Sequence, residues 1–369
     1  MKRPVILICI DGAGTDYFKR CSLPNIDRLC REGFCSWSSH AMVPTVTNVN
    51  NVSIITGEYP AEHGVFTNCY YEVEEDREVY MESPEMIKSE TIFEKASRSG
   101  LKSVLITVKD KLRTLLSCGV DESFSAEKPA RWVVDYIGRP PNIYSSEVNL
   151  WIFKGAEAFM RKFSPDIIYI ATTDYIMHKY PPESPEARRH MRLLDEGIGL
   201  ILDKYPDSII GITADHGMTA KKTAIDLEKV LAGKGVKAKV VPTVKDRYLP
   251  HHSNLSGSAY VYLKKIEDVK KAYDILRDVD GVEEVLTATE ASQRFHLPQE
   301  KVGDLLVLGE VDYVFGTLTS GVIEDVDLRS HGSLHERVIP TILYGVEREG
   351  EIDENRLLAQ IALRGLEIV

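Results

Sequence analysis

The sequence predicts an α/β fold: a mostly parallel sheet sandwiched by helices, with a small α+β insert as a cap. Three observations predict it. Short apolar runs bounded by breakers alternate with amphipathic helical patterns. Three of the core strands end in Asp. A late apolar run, RVIPTILYG at 337–345, reads as one more core strand after a stretch with its own alternation, so the chain leaves the main domain and returns to it.

The first buried strand is predicted over Pro4–Ile10, an apolar run that breaks at Asp11-Gly12. A helix over Ser22–Arg31 follows, with Ser22 as its cap, Pro24 in the first turn and Gly33 as its stop. Glu90–Ser99 reads as a helix ended by Gly100, and Leu101–Val108 as the second strand. Helices over Val148–Phe163 and Pro185–Lys204 each carry an apolar stripe opposite charges, and they flank strands at Asp166–Ile170 and Ser208–Thr213. After Gly217 the reading is a helix (Ile225–Ala232), strands (Lys237–Pro242, Ser258–Tyr262), a helix (Ile266–Arg277) and two more strands (Glu283–Thr287, Asp304–Leu308). At 369 residues the chain exceeds what one core usually fills, and the expected division is a core of 1–217 and 326–369 with a cap of 218–325.

A net charge of −11 argues against broad binding to nucleic acid or an anionic membrane, while a local basic pocket for a small anion is compatible with it. The run PVILICI is too short for a signal segment or a membrane span, so the expected location is cytoplasmic. The cysteines at 9, 21, 30, 35, 69 and 118 lie without a C-x-x-C pair or framework spacing, and free thiols are expected.

The strands that end in Asp are ICID at Asp11, IATTD at Asp174 and GITADHG at Asp215. Ligands bind outside the carboxyl ends of strands in open α/β sheets, so the three acids should converge on one edge. In TTDYIMHKY, Asp174 and His178 stand four apart and reach one cation if the segment forms a helical turn. Asp215 and His216 are neighbours. Either His331 in LRSHGS or His335 in SLHE can complete a site where the chain rejoins the core, and spacing alone does not choose between them. His251 and His252 lie in the insert and face substrate or solvent; His40, His190 and His296 read as surface residues.

In order, ICIDGAG, PTVTNVNNVSIITGEYPAEHG, TTDYIMHKYPP, TADHGM and RSHGS resemble the alkaline-phosphatase superfamily, in its phosphodiesterase-like and phosphonoacetate-hydrolase branch. The resemblance implies two zinc ions at the carboxyl edge of the sheet, with manganese or iron as substitutes for the same O/N donors. It implies that Asp11, Thr47, Asp215 and His216 hold one ion, and Asp174, His178 and His331 the other. Thr47 would be the nucleophile, a hydroxyl made competent by a metal. Asn68 would donate its amide to a phosphoryl oxygen, joined by the backbone amide of Asn48. NVSIITG reads as a helix starting beneath the phosphate, so that its positive end faces the anion.

The segment ITVKDKLRTLL, 106–116, resembles the phosphonoacetate hydrolases, in which two lysines one residue apart bind the substrate carboxylate. Cleaving the carbon–phosphorus bond of phosphonoacetate expels a carbanion whose charge spreads onto that carboxylate, and Lys109 and Lys111 would stabilise it. RYLPHHSNLSGSAYVYL, 247–263, resembles the cap segment of the same enzymes. The expected activity is hydrolysis of phosphonoacetate to acetate and phosphate through a phosphothreonine. The alternative is a phosphodiesterase or nucleotide pyrophosphatase of the same superfamily, and either way the partner is a small phosphonate or phosphoryl substrate.

Overall fold

The computed structural model describes residues 3–248, 253–347 and 350–366. Its largest sheet has seven strands in the order Phe34–His40, Val338–Tyr344, Ile209–Thr213, Val5–Cys9, Ile167–Ala171, Ser103–Thr107 and Glu122–Ser125. Val5–Cys9 runs parallel to both of its neighbours, and Ser103–Thr107 does likewise. The returning strand Val338–Tyr344 enters antiparallel to Ile209–Thr213 and to Phe34–His40, so the sheet is mixed at that side.

Period two divides each central strand between two cores. Val5, Leu7 and Cys9 pack with Val52, Ile54, Phe93 and Leu358 on one face; Ile6, Ile8 and Ile10 pack with Phe153, Ile198 and Leu202 on the other. Burial on both faces explains the unbroken apolar runs. Register then fixes the site: Cys9 pairs with Ala171 and with Thr213, and Thr107 with Ala171, so four strands end level. Asp11, Lys109, Asp174 and Asp215 leave the sheet at that common edge.

Three smaller sheets complete the topology. Residues 238–309 supply a four-stranded antiparallel sheet in the order Ala238–Pro242, Ser258–Leu263, Leu305–Gly309, Val282–Thr287. Thr219–Ile225 pairs with Tyr313–Phe315 and with Ile323–Ser330 in a three-stranded sheet, and Cys69–Glu72 forms a hairpin with Arg77–Tyr80. The predicted helix at Ile225–Ala232 begins two residues later, at Leu227, because Thr219–Ile225 is a strand. Tyr260, Tyr262 and Leu306 of the four-stranded sheet join the same core cluster as Leu7, so this sheet packs onto the main body.

Two local expectations are corrected. Ser22 does not cap its helix: the helix is Pro24–Glu32, and the Asp195 carboxylate from the Pro185–Lys204 helix accepts the Asn25 and Ile26 amides at 3.3 and 2.9 Å. His190 is not at the surface. It is fully buried on the inner stripe with Met191 and Leu194, and burial pushes its pKa down to about 4. The six cysteines are free thiols. Among the described residues no helix is long and apolar enough to cross a membrane. His251 and His252 lie outside the described residues.

Candidate active site

The level strand ends bring three carboxylates and three imidazoles together. The ligand atoms of Asp11, Asp215 and His216 lie within 4.8 Å of one another, and so do those of Asp174, His178 and His331. Asp174 heads the short helix Tyr175–Lys179, which carries His178 one turn on, with its Nε2 at 2.9 Å from Asp174 Oδ2. All six side chains are buried.

The three imidazoles are aimed by one device. His216 Nδ1 donates to the Gly217 carbonyl at 2.9 Å, His331 Nδ1 to the Thr45 carbonyl at 2.7 Å, and His178 Nδ1 to the Arg329 carbonyl at 2.9 Å. A backbone carbonyl on Nδ1 fixes the tautomer and leaves the Nε2 lone pair for the site, the arrangement metal-binding histidines use. Arg329 braces the same region, its guanidinium donating to the Met177 and Met218 carbonyls at 2.9 and 2.7 Å. His335, by contrast, points away to Glu283, 2.8 Å from its Nε2.

The electrostatics favour a cation. Burial, then the charges of Asp174 and Asp215, push Asp11 well above the ordinary carboxylate range. Burial likewise lifts Asp215 up to about 6. Burial first, then His216 and His178, hold His331 well below its ordinary value and therefore neutral. Asp11 Oδ1 is buried, accepts no hydrogen bond among the described residues, and lies 3.5 Å from His216 Nε2. Two groups of oxygen and imidazole donors without Cys fit divalent zinc, manganese or iron, which would relieve the repulsion among the acids.

Thr47 opens the helix Thr47–Thr56, every residue of which is buried. Val46 offers no side-chain cap, so the helix's positive end is left to the site. Thr47 Oγ1 lies 3.4 Å from His216 Nε2. Asn68 Oδ1 accepts the Asn48 amide at 3.3 Å, which turns the Asn68 NH2 group away from that contact as a donor. The Asn48 amide, expected to face the phosphoryl group itself, is thus engaged with Asn68 here.

The Asn-rich stretch has a further use that residue type alone did not reveal. Asn51 Nδ2 donates to the Thr47 carbonyl at 3.0 Å and to Asp215 Oδ2 at 3.3 Å, while its Oδ1 accepts the Tyr169 hydroxyl at 2.8 Å. It ties the helix that Thr47 opens to the Asp215 carboxylate. Asn50 holds the turn before Thr47 through the Met42 amide and carbonyl, at 2.7 and 3.2 Å.

Lys109 is buried at the same edge, and Lys111, two residues on, is half-buried. Lys109 Nζ lies 3.4 Å from Asp174 Oδ1; burial would lower its pKa, but Asp174, Asp11 and Asp246 outweigh this and raise it. Lys111 pairs with Asp246, a residue whose role the sequence did not signal. Asp246 sits in a strap where Lys245 reaches Glu78 at 2.6 Å, Tyr248 reaches Glu127 at 2.9 Å and Arg247 lies over the Tyr80 ring.

The model of the type I phosphodiesterase / nucleotide pyrophosphatase family matches residues 5–333. Human ectonucleotide pyrophosphatase/phosphodiesterase family member 7 is 23% identical over 340 residues, covering 84% of this chain and 67% of its own length. The venom phosphodiesterase of Naja atra is 25% identical over 232 residues, 59% of this chain but only 26% of that protein, so the match spans about a quarter of such relatives. Among solved structures, phosphonoacetate hydrolase from Sinorhizobium meliloti 1021 in complex with phosphonoformate is 32% identical with a TM-score of 0.90, covering 99% of this chain and 96% of that one. Murine ectonucleotide pyrophosphatase / phosphodiesterase 5 shares the fold at 15% identity, with a TM-score of 0.73, over 100% of this chain and 96% of that one. With that match spanning six of the seven main-sheet strands and all the clustered acids and histidines, the chain belongs to the type I phosphodiesterase / nucleotide pyrophosphatase family.

Proposed function

We propose that this enzyme hydrolyses phosphonoacetate to acetate and phosphate, through a phosphothreonine on Thr47, at a site holding two zinc ions. The observation that carries the reading is a pair of ammonium groups two residues apart: Lys109, buried against the site acid Asp174, and the half-buried Lys111, paired with Asp246. A leaving carbanion conjugated to a carboxylate needs that charge, whereas a nucleotide leaving group is better served by an apolar or aromatic slot. The likeness to phosphonoacetate hydrolase at 32% identity over 99% of the chain supports it.

Asp11, Thr47, Asp215 and His216 would hold one ion and Asp174, His178 and His331 the other. Bound there, the ions would lower the pKa of a hydroxyl and neutralise oxygens on phosphorus. Thr47 Oγ1 gives up its proton to solvent and attacks phosphorus from the helix terminus, forming the O–P bond as the P–C bond breaks. The expelled enolate-like acetate is held by Lys109 and Lys111 and takes a proton from water. Asn68 donates to a phosphoryl oxygen. A second displacement by water breaks the Thr47 O–P bond and returns the hydroxyl. Residues 218–325 serve as the cap, with the strap at 245–248 excluding water from the reacting centre.

The test is turnover. Purified zinc-loaded enzyme should release equal amounts of phosphate and acetate from phosphonoacetate. Absence of that turnover beside fast cleavage of a bis-aryl phosphodiester would overturn the reading in favour of a diesterase, which the family match and the phosphodiesterase relatives favour.

A further inference from the structure

The two groups of candidate metal ligands come from distant parts of the chain. Asp215 and His216 follow the strand Ile209–Thr213, whereas His331 stands in the turn after Ile323–Ser330. Something must hold that turn in register with the 215–217 loop. Glu336 contacts both. Its backbone carbonyl accepts the Gly217 amide at 2.7 Å, next to His216. Its carboxylate Oε2 accepts the Ser333 amide and hydroxyl, each at 3.0 Å, two residues from His331. Oε1 accepts Lys221 Nζ at 3.0 Å and the Thr219 hydroxyl, both on the strand that leaves the 215–217 loop.

Neither partner of the ion pair touches solvent: the side chains of Lys221 and Glu336 are both 0% exposed. Lys221 Nζ donates also to the Val311 carbonyl at 2.8 Å. A buried pair of this kind is weak evidence for stability, because desolvation offsets the attraction, and apolar residues of similar size often do as well. Its geometry is the informative part. Four donors saturate one carboxylate, and each lies on a segment that flanks a site histidine. On the other side, the Thr45 hydroxyl accepts the Gly332 amide at 2.9 Å and donates to the Ser333 carbonyl at 2.9 Å, joining the same turn to the segment before Thr47. The Lys222–Asp312 pair one residue along is, by contrast, solvent-exposed on both sides.

We propose that Glu336, clamped by Lys221, is a positioning residue that sets the spacing of His331 against Asp215 and His216, and so the geometry in which the chain holds its metal. Its carboxylate bonds Lys221, Thr219 and Ser333, none of which is a candidate metal ligand. The inference rests on the metal-site reading above, and its test separates the two.

Wild type, Glu336→Gln, Lys221→Met and the milder Ser333→Ala are compared, with Lys222→Ala as the control on the exposed pair. Each is loaded with zinc, and three readouts are taken: release of metal to a coloured chelator, kcat and KM for phosphonoacetate, and amide hydrogen exchange at Gly217 and Ser333 in metal-free protein. Glu336→Gln and Lys221→Met should release metal about 10–100-fold faster and lose kcat on a similar scale, as expected for groups that orient ligands. KM should stay near wild type, exchange at Gly217 should accelerate, and Ser333→Ala should lie between the two. Lys222→Ala should match wild type throughout. Variants that melt at lower temperature yet keep wild-type metal release and kcat per folded molecule would overturn the proposal. If wild type binds no divalent metal, the metal reading fails, and unchanged exchange at Gly217 and Ser333 in the variants would separately sink the coupling.

Discussion

The imidazoles of His216 and His331 lie ring on ring, with centroids 3.6 Å apart and planes 7° from parallel. Two imidazolium rings would repel at that separation, and His331 is held neutral by burial and by the rings of His216 and His178. A neutral imidazole with Nδ1 committed to a carbonyl, as in His331, is built to bind a cation through Nε2. His331→Ala should therefore cost one metal equivalent per chain by elemental analysis and lower activity about 100-fold. His335→Ala, whose ring faces Glu283, should keep both the metal and most of the rate.

Thr47 is tested by its covalent intermediate. Acid-quenched wild type, mixed with phosphonoacetate, should yield a phosphorylated peptide carrying Thr47. Thr47→Ala should show no such peptide and lose at least about a thousandfold in kcat, the scale of removing a nucleophile. Thr47→Ser retains a hydroxyl and should give a phosphoserine at the same position. A phosphopeptide in Thr47→Ala would move the nucleophile elsewhere.

Acid stability has a sign that Glu336 predicts. Burial alone would raise its pKa, but Lys221 and the Thr219 hydroxyl outweigh burial and hold it below its ordinary value of 4.5. A carboxyl depressed in the fold contributes stability that is complete above its unfolded value and is lost as pH falls through the folded one. Asp11 and Asp215 are raised instead, so in metal-free protein they contribute with the opposite sign. The comparison between wild type and Glu336→Gln cancels them. The melting-temperature gap between the two should be largest near neutral pH and should shrink below about pH 4.5. A gap that stays constant down to pH 3 would contradict the depressed carboxyl.

The parallel core was legible because burial on both faces writes strands such as VILIC, SVLIT and IIYIA as continuous apolar runs. The edge strand Phe34–His40, FCSWSSH, was not legible: it is half-buried and mostly polar, and its pairing with Val338–Tyr344 is a tertiary fact. Asp11, Lys109, Asp174 and Asp215 could be placed at one edge because each follows the end of a parallel strand. Asp246 and Glu336 could not, since their meaning lies in Lys111 and Lys221, distant in the chain. His190 misled because a lone polar residue on a charged helix resembles a surface one, although its stripe packs inward.

The proposed choice of bond rests on Lys109 and Lys111, and their surroundings make the obvious variants unequal. Lys109 is ion-paired with Asp174, one of the candidate metal ligands, so Lys109→Ala alters the charge of the site as well as any carboxylate contact. Lys111 faces Asp246, whose side chain is 1% exposed, and removing one partner of a buried pair costs roughly 3–5 kcal/mol. Stability must therefore be separated from specificity. The double variant Lys111→Met with Asp246→Asn removes both charges and should recover much of the stability that Lys111→Met alone loses. If Lys111 binds the substrate carboxylate, the double variant still loses turnover of phosphonoacetate, by about 100-fold or more for a charged contact strengthened in the transition state. Cleavage of a bis-aryl phosphodiester, which carries no carboxylate, should change by less than about tenfold in the same protein. Equal losses on both substrates would show that the lysine serves the fold, and would return the enzyme to the diesterase branch of its family.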